Sequence, residues 1–298
     1  KSNINVSVDG TPVPDTNINL TTTPTTGNTK EVTCVLTVTN ITGNGILNVS
    51  IPTGTLTDEA TNTNDLKTLT TDVNITIDNI SPNLAINVTS PAAGYYKAGE
   101  VITITATYGE DVYKEITSNN KIDTIAEAPA MTLKFGGAPA GNTVTCTSVS
   151  GNVLTYKYTI KGPTTATGTD GDNGKITISL ANAYDIAGNA ISASNVTPVD
   201  VYADTIAPVV TSITANKPSP TNAESITYTV VFSENVTGFA ASDVIVNSGK
   251  GTVTSVTGSG TTWEVVISTT DNQEYTETIT IKANGNAIDR AGNKVPVA

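Results

Sequence analysis

The acidic residues of this chain recur in a pattern suited to binding a hard cation. Asp185 to Asn189 reads DIAGN, Asp289 to Asn293 reads DRAGN, and Asp58 to Asn62 reads DEATN, an altered copy of the same phrase. A second acidic marker follows: Asp78 to Pro82 reads DNISP and Asp204 to Pro208 reads DTIAP. The interval from Asp58 to Asp78 is nearly the interval from Asp185 to Asp204. Glu110 then follows Asp78 at almost the distance in sequence at which Glu234 follows Asp204. Near-constant spacing among three separate markers argues for one unit used repeatedly. Carboxylate and amide oxygens are what calcium takes, about six to eight at a time. Asp and Asn are also turn formers, because both tolerate left-handed backbone and bond their own main chain. No contiguous stretch supplies a full calcium shell, so calcium and plain turn chemistry both stand as readings.

Catalytic chemistry is poorly provided for. The chain has no His, which removes the usual general base and the commonest transition-metal ligand. Its acids recur with the repeat, as architecture does, so no catalytic residue is assigned and an enzyme is not expected. Cys34 and Cys146 fall in different repeats, and no disulfide is expected between them. Both fall on apolar-alternating segments and are expected as small core residues. Asp170 to Gly174 (DGDNG) lacks the downstream Glu of a calcium loop and reads as a hairpin turn. Trp263 alternates with apolar residues and is expected in the core. Tyr95, Tyr96 and Tyr113 are the aromatics that an accessory sugar-binding module would expose. A formal charge of −12 sets the whole field against nucleic acid. No apolar run approaches the ~20 residues of a membrane span, so membrane insertion is not expected.

The elements that must position these residues are strands. Thr, Asn, Ser, Val and Ile dominate, and Ile102, Ile104 and Ala106 alternate with polar residues as do Ile226, Tyr228, Val230 and Phe232. Tyr156, Tyr158 and Ile160 predict one inward face; Trp263, Val265 and Ile267 predict another, and Val32, Cys34, Leu36 and Val38 are their counterpart near the start. Short strands separated by Gly, Asn and Asp turns predict an all-β chain of tandem immunoglobulin-like β-sandwich domains. Pro82 and Pro208 mark linkers, giving repeats at 1–80, 81–205 and 206–298. The first is expected to lack its opening strands and the last its closing strand, so the chain reads as a piece of a longer array. In such a sandwich the turn after the second strand, the turn between the last two strands and the incoming linker meet at one end. That topology is expected to gather Asp78, Glu110, Asp111, Asp185 and Asn189 at one junction. At the other it gathers Asp204, Glu234, Asp289 and Asn293.

YKAGEVITITATYGEDV (Tyr96 to Val112), ITYTVVFSENVTGFAASDVIV (Ile226 to Val246), GNGILNVSIPTGTLTDEATN (Gly43 to Asn62) and the two D-x-A-G-N loops resemble the bacterial immunoglobulin-like (Big-type) repeats of cell-surface adhesins and cell-wall proteins. The first repeat departs at Thr61, where the others carry Gly188 and Gly292, so the same tight loop is less expected there. The resemblance implies a non-catalytic stalk, located outside the cell at its surface or wall, that displays a distal binding region. Its implied partners are neighbouring repeats of the parent chain and a host surface protein or glycan. The competing reading is an accessory or carbohydrate-binding module of a secreted polysaccharide-degrading enzyme.

Overall fold

The computed structural model describes residues 4–296 apart from 25–31, 58–60, 64–66, 69–74, 91–93, 116–119, 165–169, 197–199, 270–273 and 283. Asp58 lies outside the described residues. The chain divides into two compact units, one of Lys1–Asn83, Tyr108–Ile122 and Asn182–Ile191, the other of Leu84–Thr107, Asp123–Ala181 and Ser192–Ala298.

The first unit holds β1 (Asn5–Val8), β2 (Thr11–Pro12), β3 (Ile18–Pro24), β4 (Val32–Val38), β5 (Gly45–Ile51), β6 (Lys67–Thr68) and β7 (Thr76–Ile77). Asp9 and Gly10 join β1 to β2 with positive φ at both positions (44° and 80°), the backbone a two-residue hairpin of matching twist requires. Strand β1 pairs antiparallel with β5, whose other edge takes β6 and β7. Val6 and Val8 alternate along β1, so they share a face, and they are buried with Val13 and Ile18. Leu36, Val38, Leu47 and Val49 pack against that cluster half-buried. Strand β3 pairs with β4 alone, in register from Ile18 opposite Val38 to Pro24 opposite Val32. Here the expectation for Cys34 fails: its register matches Leu36 and Val38, yet the side chain is exposed. A strand face is buried only where another layer covers it, and among the described residues none covers this end of the ribbon.

The second unit carries the remaining strands: β8 (Leu84–Ser90), β9 (Gly94–Tyr96), β10 (Val101–Tyr108), β11 (Met131–Phe135), β12 (Ala138–Pro139), β13 (Thr145–Ser150), β14 (Val153–Thr159), β15 (Gly174–Tyr184), β16 (Ala190–Val196), β17 (Val201–Ala203), β18 (Val210–Ala215), β19 (Ser225–Phe232), β20 (Val244–Val246), β21 (Thr252–Ser259), β22 (Thr262–Ser268) and β23 (Ile279–Ile281); the ends of β10, β15 and β16 belong to the first unit. One sheet runs β13-β14-β10-β8 and another β12-β11-β15-β17-β9. Ile102, Ile104 and Ala106 of β10 are fully buried, and Tyr156 and Tyr158 of β14 nearly so. Phe135 and Tyr158 belong to different sheets and their ring centroids lie 5.6 Å apart, which locates the core between two layers. The same plan returns downstream as β18-β19-β22-β21 facing β20-β23, with Val230, Val265 and Ile267 fully buried. Trp263 sits at the rim of that core, half-buried, edge-on to Phe239 at 5.6 Å. The expected all-β, immunoglobulin-like sandwich architecture is borne out.

The DGDNG segment departs from its reading as a hairpin turn. It lies on the crossing from β14 to β15, which belong to different sheets, so it does not join paired neighbours. Asp172 is buried and acts as an acceptor hub. The Tyr158 hydroxyl and the Lys161 N–H (2.7 Å) donate to its Oδ2, and the Gly141 N–H donates to Oδ1 at 2.9 Å. Three donors satisfy a charge that would be costly to bury alone. The Cys146 side chain is half-buried, and loss of solvent raises its thiol pKa.

Candidate functional site

Two loops with the same wiring hold the acidic residues. In DIAGN the Asp185 N–H donates to the Asn189 carbonyl (3.1 Å) and the Gly188 N–H to the Asp185 carbonyl (3.2 Å). In DRAGN the Asp289 and Gly292 N–H groups donate to the Asn293 and Asp289 carbonyls at 3.1 and 3.3 Å. Each loop closes only because its glycine takes a left-handed backbone, φ 96° at Gly188 and 85° at Gly292. The first Asp then grips the Asn: Asp185 Oδ1 accepts from the Asn189 N–H at 2.8 Å and Oδ2 from its Nδ2 at 2.7 Å. Asp289 does the same with Asn293 at 2.9 and 2.8 Å.

The Asn amides reach onward to the linkers. Asn189 Nδ2 donates to the carbonyl oxygens of Asp78 (3.0 Å) and Ile80 (3.4 Å), and Asn293 Nδ2 to those of Asp204 (2.8 Å) and Ile206 (3.4 Å). Linker carboxylates turn back on their own linker: Asp78 Oδ1 accepts from Ile80 N–H at 3.0 Å and Asp204 Oδ1 from Ile206 N–H at 3.2 Å. The glutamates arrive from the ends of β10 and β19, where the Gly109 and Ser233 N–H groups bond the Asn83 and Val209 carbonyls at 2.9 and 2.8 Å.

This wiring brings one carboxylate oxygen each of Asp78, Glu110 and Asp185 within 4.8 Å of one another, and likewise Asp204, Glu234 and Asp289. Six of the nine residues singled out in the sequence therefore converge in two triads. Asn189 and Asn293 adjoin them, but present Nδ2 to the acids as a donor. Asp111 is outside its triad, exposed, and paired with Lys121 at 2.6 Å.

Three carboxylates so close cannot all stay charged without cost. Loss of solvent first, then the charges of Asp204 and Asp289, push Glu234 up to about 7, against a smaller opposing pull from Arg290. Loss of solvent also raises Asp204, and raises Glu110 with help from Asp185, Asp78 and Asp111. The donors are all oxygens with no His or Cys, a set that fits a hard cation and not zinc. Asp185 and Asp289 keep lone pairs beyond those their Asn partners use, since a carboxylate accepts about four bonds.

Outside the triads, DRAGN and DIAGN differ in one position that the spacing did not flag. Arg290 stacks on Tyr95, its guanidinium carbon 4.1 Å from the ring centroid, and its Nη1 donates to the Tyr95 hydroxyl. Tyr95 in turn stacks on Tyr202 at 4.8 Å with ring planes 8° apart. Ile186 stands at the corresponding place in DIAGN and is 72% exposed.

One family model covers the second triad entirely. Residues 204–296 match a bacterial Ig-like domain. The matched bacterial Ig-like segment opens on Asp204 itself and takes in Glu234, Asp289 and Asn293. No curated protein matches the chain. Among solved structures a marsupial T cell receptor aligns over 74% of this chain and 100% of its own length, at 12% identity and a TM-score of 0.26.

Proposed function

We propose that this chain is a non-catalytic structural array from the outside of a bacterial cell, in which bacterial Ig-like repeats hold a binding region of the parent protein away from the surface. The observation that carries this reading is the duplicated clamp. Asn189 and Asn293 each tie a late loop to the carbonyls of an entering linker, at 3.0 and 3.4 Å in one copy and 2.8 and 3.4 Å in the other. A feature built twice, at the points where a beads-on-string chain would otherwise swivel, serves orientation and load-bearing. Repeats along 1–80, 81–205 and 206–298 are part of the proposal.

A calcium ion at each triad completes it. Asp78, Glu110 and Asp185 would hold one, and Asp204, Glu234 and Asp289 the other, with main-chain carbonyls and water filling the shell. The ion supplies positive charge that relieves carboxylate repulsion.

Single-molecule pulling tests the mechanical reading. The wild-type chain is expected to unfold in separate force peaks, and Asn189→Ala with Asn293→Ala to add compliant extension before the first of them. A wild-type trace without discrete peaks, or a double variant that extends like wild type, refutes the clamp as a load-bearing device.

A further inference from the structure

We infer that the DRAGN loop is a brace carried by one repeat for its neighbour: Arg290 holds β9 and Asn293 holds the end of β17, the two strands that tension along the chain would slide apart. Residues 206–298 then set how firmly the preceding repeat resists pulling. The brace rests on the array reading for the direction of the load and goes beyond it in naming where that load is carried.

Strands β9 and β17 pair in parallel, with Gly94 opposite Val201, Tyr95 opposite Tyr202 and Tyr96 opposite Ala203. Main-chain bonds close both ends of the pair. The Gly94 N–H donates to the Asp200 carbonyl at 2.7 Å, and the Asp204 N–H donates to the Tyr96 carbonyl at 2.8 Å. Tension entering through Pro82 first meets β8, an edge strand paired with β10, and then draws β9 toward its Gly94 end. Tension leaving through the linker at Asp204 draws β17 toward its Ala203 end. In a parallel pair these are opposite ends, so the strands must slide lengthwise and all the bonds between them are strained together. Antiparallel neighbours joined by a hairpin, pulled from their adjacent ends, would instead open one bond at a time.

Side chains on the outer face run across this pair. Tyr96, Val201 and Ala203 are buried, so alternation turns Tyr95 and Tyr202 to the other face, where their rings stack at 4.8 Å. Arg290 covers the second face of Tyr95 and donates to its hydroxyl, which fastens the loop to β9. Asn293 donates through Nδ2 to the Asp204 carbonyl at 2.8 Å, which fastens the same loop to the residue after β17. Asp204 is thus gripped by β9 through its N–H and by the loop through its carbonyl. A Cβ built on Gly292 would stand 3.6 Å from Lys97 Nζ, so the loop also lies against the residue after β9. Sliding by one residue is a shift of about 3.3 Å, which draws Tyr95 from under Arg290 and off Tyr202. The cation over the ring and the hydrogen bond to its hydroxyl are both lost in that slip. The loop keeps its shape through the grip of Asp289 on Asn293, so the brace lasts while 206–298 stays folded.

Single-molecule pulling at constant force tests the brace. The full chain carries handles at Ser81→Cys and Val209→Cys, with Cys34→Ser and Cys146→Ser, so that tension crosses β9 and β17 while 206–298, held at one point, is not stretched. Wild type is expected to give one event releasing roughly 400 Å of chain. Arg290→Ala is expected to raise its rate about fivefold. Tyr95→Leu removes the same contact from the β9 side and should act alike, with no further rise when the two are combined. Handles at Val209→Cys and on a Cys appended after Ala298 stretch 206–298 alone, and there Arg290→Ala should leave the rate unchanged. A wild-type event that neither variant accelerates overturns the brace and leaves the array reading standing. An equal acceleration in 206–298 also overturns it, since Arg290 would then serve its own repeat. Absence of any discrete wild-type event overturns the array reading and the brace together.

Discussion

The guanidinium of Arg290 sits over Tyr95 with its central carbon 4.1 Å from the ring centroid, joining the DRAGN loop to strand β9 across 195 positions of sequence. Tyr202 backs Tyr95, and Lys175 lies 5.8 Å from the Tyr202 centroid, so two cations close a pair of stacked rings. Strand pairing builds the stack: Tyr95 is opposite Tyr202 in β9–β17, and Tyr202 opposite Lys175 in β17–β15. With one face against Tyr202 and the other under Arg290, Tyr95 is not an open platform for a sugar ring. Tyr96 is buried, which removes a second of the three aromatics a sugar-binding reading would use. A cation over a partly exposed ring contributes about 1 kcal/mol. A double-mutant cycle of Arg290→Ala and Tyr95→Leu, followed by urea denaturation, is expected to give a coupling energy of about that size. Additive single effects would show that the stack carries no energy.

The acidic triads set a pH dependence with a definite sign. A carboxyl whose folded pKa exceeds its unfolded value keeps an extra proton in the folded state. For Glu234 the contribution is full below 4.5 and lost as the pH rises through about 7. The melting temperature is therefore expected to fall between about pH 5 and about pH 8. Glu234→Gln, which carries no titrating proton, should flatten that slope. Calcium competes with the proton, so it should raise the melting temperature at pH 8 and much less at pH 5. An unchanged melt on calcium addition at pH 8 would remove the cation from the proposal while leaving the proton slope intact.

Much of this is legible in the residues, and what is not has a common cause. Alternation in Val101–Tyr108 and Ser225–Phe232 announces buried strands, because a period of two fixes which side chains share a face. The triads follow from loop markers plus sandwich topology, which is local sequence information placed by a known chain path. Cys34 escapes that reading because alternation gives the face of a strand but not whether another layer covers it. The Asn189 and Asn293 amides group by type with oxygen ligands; their role as donors depends on linker carbonyls 111 and 89 residues away. Arg290 gives no signal at all, since its partner is set by tertiary packing.

Tyr108 carries a buried hydroxyl that finds no hydrogen-bond partner among the described residues. Burial alone pushes its pKa up to about 12. The matching last position of β19 is Phe232, equally buried and without the polar atom. An unsatisfied buried hydroxyl costs roughly 1–3 kcal/mol, and removing it without changing the ring recovers part of that. Tyr108→Phe is expected to raise the unfolding free energy by about 1 kcal/mol in urea titration. A loss of stability would mean that the hydroxyl is satisfied by water held in the core.

Thr61 offers the opposite lesson, a position where the repeat's glycine is missing but its backbone shape is kept. Its φ is 67°, in the same left-handed region as Gly188 and Gly292. The loop closes across the same bridge, Thr57 to Thr63, as the downstream loop does from Ile288 to Lys294. The departure from glycine therefore leaves the left-handed backbone at this position and transfers its cost to a β-branched residue, whose Cβ crowds the following carbonyl by about 1–2 kcal/mol. Thr61→Gly relieves that crowding but gives the unfolded chain more freedom to lose, which offsets roughly 0.5–1 kcal/mol of the gain. The net expectation is a stabilisation of about 0.5–1 kcal/mol. Thr61→Ala, which keeps a Cβ in the same backbone, should gain much less. Equal effects of Gly and Ala in urea denaturation would place the strain elsewhere in the loop.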